Sequence, residues 1–61
     1  MEDVILMVGK GDYDVIVQKT ERGSYQIGYS NARTGEKQVV GYTMRPEIAT
    51  KIAYEIIEGL D

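Results

Sequence analysis

From Pro46 onward the apolar residues recur at helical spacing. Ile48, Ala49, Ile52, Ala53, Ile56, Ile57 and Leu60 fall within one half of a helical wheel, while Glu47, Thr50, Lys51, Tyr54, Glu55 and Glu58 fill the other. Proline at the first helical position loses no hydrogen bond, and Glu47 beside it suits the positive end of the helix dipole. Gly59 reads as a left-handed residue closing the helix, with Leu60 folding back as its apolar companion. The spacing predicts a helix over residues 46–58, with Glu47 and Lys51 placed for an i,i+4 ion pair.

Upstream of Pro46 the period is two or absent. Residues 4–8, Val-Ile-Leu-Met-Val, form an unbroken apolar run whose branched side chains and short length favour a strand. Residues 13–19 and 25–29 alternate and are separated by the turn-forming Glu21-Arg22-Gly23, which predicts a hairpin. The polar stretch 30–36 contains Gly35, and a further strand-like segment, 37–43, follows it. The expected fold class is α+β: a small antiparallel β-meander of three to four strands packed on one C-terminal α-helix, in a single domain spanning 1–61.

One helix covers one face of a sheet. Alternation assigns Tyr13, Val15, Val17, Tyr25, Ile27 and Tyr29 to the covered face, which leaves Ile16 on the other. The first strand must send either Val4, Leu6 and Val8 or Ile5 and Met7 the same way as Ile16, and adjacent Val39 and Val40 pose the same question in the last strand. The strands therefore carry more apolar surface than the helix can bury.

Composition narrows the function classes. A chain of 61 residues buries a modest core, and such chains lean on disulfides, metals, a partner subunit or very regular packing. With no Cys and no His, the disulfide framework and the usual zinc, copper and haem ligands are missing, so no metal or other cofactor is expected. No apolar run approaches the roughly 18 residues of a membrane span. The acidic Glu2 and Asp3 stand where a signal peptide would be basic, so a soluble, cytoplasmic protein without membrane contact is expected.

Catalysis finds little support. General acid–base or nucleophilic chemistry would need His, Cys or carboxylates in apolar clefts, and the carboxylates here fall at strand ends and along the polar helix face. Gly9-Lys10-Gly11 follows a strand, yet it lacks P-loop spacing and precedes Tyr13 and a second strand rather than a helix, so it reads as a turn.

Two surfaces remain as candidate sites. The first is apolar: Ile5, Met7, Ile16 and Val39, an interface through the sheet or its first strand. The second is polar and aromatic. Lys19, Arg22, Arg33 and Lys37 flank Tyr25 and Tyr29, a combination that could stack and neutralise an unpaired nucleic-acid strand. The net charge of −3 weighs against a duplex binder, although residues 10–45 carry six basic against four acidic side chains, a local surplus of two.

The reading that follows is a small non-enzymatic protein–protein interaction module, a homodimer through its sheet or first strand. The alternative is a weak single-stranded nucleic-acid-binding protein; a further alternative is a phage-type or mobile-element inhibitor whose acidic helix occupies a basic site on a host protein. Strands followed by a helix opening Met44-Arg45-Pro46-Glu47 resembles the plan of small dimeric single-strand DNA-binding transcription coactivators. The resemblance is one of pattern, and the strongly basic sheet of those proteins is missing here; it implies a dimer more than it implies DNA binding.

Overall fold

In the computed structural model, which describes residues 3–59, strands β1 (Asp3–Lys10), β2 (Tyr13–Lys19), β3 (Tyr25–Asn31) and β4 (Lys37–Thr43) precede helix α1 (Pro46–Gly59). The strands pair antiparallel in the order β1-β2-β3-β4, a four-stranded meander, and α1 packs across one face of it. This is the expected α+β fold. Every strand neighbour in the sheet is also a neighbour in sequence, because short turns suffice to join antiparallel strands.

Alternation places the core as the sequence predicts. Val15 and Val17 of β2 and Ile27 of β3 are buried against Ala49, Ala53 and Ile57 of α1. Ala49 and Ala53 lack bulk, which lets the helix axis lie close to the sheet. Leu6, Val8, Tyr13, Tyr25, Tyr29, Ile52 and Ile56 pack around this centre, and the rings of Tyr13 and Tyr29 meet edge to face at 6.3 Å. Ile48, at one flank of the apolar arc, is left exposed.

Both ambiguous strands are resolved by bulges rather than by strict alternation. In β1, Val4 pairs with Gln18 and Leu6 with Val17, so Ile5 is an extra residue. Val4 and Met7 thereby share the face away from the helix, while Leu6 and Val8 point to the core, a division that neither period-two assignment contains. In β4, Gly41 pairs with Ile27 and Val39 with Gly28, which makes Val40 the extra residue and puts Val39 on the open face.

The turns carry the chemistry that their length demands. Gly11, at φ 61°, is the first of two residues between Lys10 and Tyr13, as a type II′ hairpin requires. In the β3–β4 loop, Asn31 Oδ1 accepts hydrogen bonds from the Arg33 and Thr34 amides at 2.9 and 3.3 Å, and the Ala32 amide reaches across to the Asp12 carbonyl at 2.8 Å. That last bond ties together the two turns at one end of the sheet.

The helix begins at Pro46 as expected, but its far end differs from the expectation. Gly59 belongs to the helix and does not take a positive φ, so it is not a left-handed cap, and Leu60 lies outside the described residues. Glu47 meets Arg45 at 4.0 Å; the expected pair with Lys51 is not among the ion pairs of the described residues. With side chains 72% and 68% exposed, the Arg45–Glu47 pair contributes little.

Candidate interaction face

The face of the sheet opposite α1 is built from three transverse rows. Following the register across all four strands, one row reads Val4, Gln18, Gln26, Tyr42; the next reads Met7, Ile16, Gly28, Val39; and the third reads Gly9, Asp14, Ser30, Lys37. The middle row is apolar throughout, the first joins an amide pair to two apolar ends, and the third holds the charged groups. Val4, Met7, Val39 and Tyr42 are 51%, 60%, 53% and 63% exposed.

Three of the four residues expected at an interface thus lie on one line. Met7 pairs with Ile16, Ile16 with Gly28, and Gly28 with Val39. Ile5 is the extra residue of the β1 bulge at the edge of the sheet and is 44% exposed. Tyr42, which alternation alone did not single out, completes the apolar surface; its pairing with Gln26, two residues before Gly28, places it there, and no sequence signal announces that register.

Gly28 shapes the centre of this face. With no side chain between Ile16 and Val39, the sheet surface sinks into an open depression of about 280 Å³, lined by Ile16, Gln18, Gln26, Gly28, Ser30 and Val39 among others. The glycine is set there by β4: a Cβ at position 28 would stand 2.9 Å from the Gln38 carbonyl oxygen. Close approach of the bulged strand forbids the side chain whose absence makes the hollow.

Charge on the face is sparse and paired in sign. Asp14 and Lys37 share the third row, two strands apart. The Asp14 carboxylate leans over Gly9, where Oδ1 would lie 2.8 Å from a Cβ.

The residues of the nucleic-acid alternative are not gathered into one site, although Lys19 and Tyr25 pair across β2 and β3. Tyr25 and Tyr29 lie on the helix side, packed on the core, with the Tyr29 hydroxyl donating to Gln38 Oε1 at 2.6 Å. Lys19 and Arg22 sit at the end of the sheet that holds the β2–β3 turn, and Arg33 and Lys37 at the opposite end, as the meander dictates. Tyr42 is the one tyrosine on the open face. Glu47, Glu55 and Glu58 of the inhibitor alternative are exposed on α1.

Among the described residues, no three acidic side chains come close enough to hold a metal ion, and no helix is long and apolar enough to cross a membrane. Comparison of the chain with family models, with curated proteins and with solved structures gives no match in any of the three, and the resemblance to the single-strand DNA-binding coactivators rests on element order alone.

Proposed function

We propose that this chain is a non-enzymatic protein–protein interaction module that docks through the open face of its sheet and forms a homodimer. The observation that carries the reading is the uninterrupted apolar row Met7, Ile16, Gly28, Val39 on the face that α1 leaves bare, extended by Val4 and Tyr42. Contiguous apolar surface of this kind, with a polar row at its margin, is how interfaces are built.

The edges of the sheet support the face over lateral pairing. Both edge strands, β1 and β4, carry a bulge, at Ile5 and Val40 respectively, and a bulge breaks the even ladder that an added strand would need. A partner therefore meets side chains rather than free backbone. With Tyr25 and Tyr29 turned toward the helix, the same face offers a nucleic-acid strand one ring and one row of mixed charge, which favours a protein partner.

The test is sedimentation equilibrium from low micromolar to millimolar chain concentration. Met7→Lys and Val39→Lys, both at exposed positions, are expected to fold normally and shift the chain to monomer, while Tyr54→Lys on the outer side of α1 leaves association unchanged. A monomer throughout for the natural sequence, or a dimer indifferent to both open-face substitutions, would overturn the reading.

A further inference from the structure

We infer that the two copies of the dimer pack open face to open face about a two-fold axis running along the strands between β2 and β3, each inserting Ile16 into the hollow over Gly28 of the other. The inference rests on the interaction-face reading above and adds to it a register.

The rows impose that register. Rotation by a half turn about such an axis keeps each transverse row opposite its own copy and lays β1 over β4 and β2 over β3. Met7 then faces Val39, Ile16 faces Gly28, Gln18 faces Gln26 and Val4 faces Tyr42. Apolar meets apolar, amide meets amide, and the largest central side chain meets the one position that lacks a side chain. The open depression of about 280 Å³ leaves room for an isoleucine side chain entering from above.

The charged row agrees independently. Gly9 of one copy faces Lys37 of the other, and it is over Gly9 that the Asp14 carboxylate leans. Each copy thus presents Asp14 to the other's Lys37, giving two equivalent ion pairs from a single contact. A two-fold axis perpendicular to the strands does worse on every count. It stacks Ile16 on Ile16 and leaves Gly28 over Gly28, a void, while setting Asp14 and Lys37 against the row of Val4 and Tyr42.

The area is that of a modest dimer. Four strands about 4.8 Å apart and seven residues long give a footprint of about 440 Å². Side-chain relief raises this to an accessible area on the order of 600 Å² per copy, at the lower end of specific interfaces. Area does not set affinity, so the expectation is a monomer–dimer equilibrium that dilution shifts, followed from low micromolar to millimolar chain concentration.

The register is tested by cross-linking, which the absence of native cysteine makes clean. Met7→Cys and Val39→Cys chains are prepared separately and treated with a bifunctional thiol reagent spanning about 10 Å, the separation of packed sheets. The equimolar mixture is expected to give abundant cross-linked dimer, and either variant alone only traces, because like positions stand three strand spacings apart laterally and roughly 17 Å in all. Sedimentation of the same samples separates the two claims. A dimer in which like positions cross-link as readily as unlike ones would overturn the register and leave the interaction face standing, whereas monomeric chains at millimolar concentration would overturn both.

Discussion

Gly28 and Gln38 stand so close across β3 and β4 that the carbonyl oxygen of one occupies the place of a side chain on the other: a Cβ on Gly28 would lie 2.9 Å from it. The hollow at the centre of the open face is therefore a by-product of backbone geometry, next to the register shift at Val40.

Gly28→Ala should accordingly strain the β3–β4 pairing, at a cost of about 1–3 kcal/mol. Gly41 lies in the same ladder, but a Cβ there meets nothing within 4 Å, so Gly41→Ala should be neutral or stabilise by up to about 1 kcal/mol through the lost freedom of the unfolded chain. Thermal melts of the two variants give the comparison, at about 4–8 °C per kcal/mol for a domain of this size. Equal midpoints would contradict the close approach.

The core is small enough for one truncation to decide folding. Ile27 is 1% exposed and lies beside Val17, beneath the helix. Ile27→Ala should cost about 2–5 kcal/mol, against a total stability of about 3–9 kcal/mol for a chain of this length. Ile48→Ala, at a position 42% exposed on the flank of the helix, should cost less than about 1 kcal/mol. Urea titration followed by circular dichroism checks both, and comparable losses would refute the placement of α1.

One side-chain oxygen organises the start of the β3–β4 loop. Asn31 Oδ1 takes the amides of Arg33 and Thr34, so Asn31→Ala should lower stability by about 0.5–1.5 kcal/mol, whereas Asn31→Asp retains the acceptor and should stay near the natural value. Amide hydrogen exchange at residues 33 and 34 reads the effect locally, and an unchanged rate in the alanine variant would rule out the role assigned to Asn31.

Much of this fold is legible from period alone. Tyr13, Val15 and Val17 recur at every second position because one side of β2 is covered by a helix, even though Ile16 between them is apolar, and Ala49, Ala53 and Ile57 repeat every fourth residue because only one arc of α1 is buried. The edge strands are less legible. An apolar run such as residues 4–8 has no period to read, and the bulge at Ile5 shifts Val4 to the side of Met7 without any turn-forming residue to announce it. Val39 and Val40 hide a second bulge in the same way. Gly59 misleads for a different reason: glycine tolerates the left-handed region without being compelled into it, and here Gly59 stays in the helix without a positive φ. Of the candidate site, Met7, Ile16 and Val39 follow from having more apolar surface than one helix can cover, but their alignment in a single row depends on register, which pattern does not supply.

The order of the meander also sets a timetable for folding. Each strand pairs with the strand made just before or just after it, so the three hairpins close small loops and can form within microseconds of one another. A lone hairpin is marginal at best in water, and Val15, Val17 and Ile27 lack their cover until α1, which follows the strands, packs on them. Docking of the helix should therefore be the step that makes the sheet stable. In a chain being synthesised, the native structure should accordingly form only once residues 46–59 are available to cover the sheet.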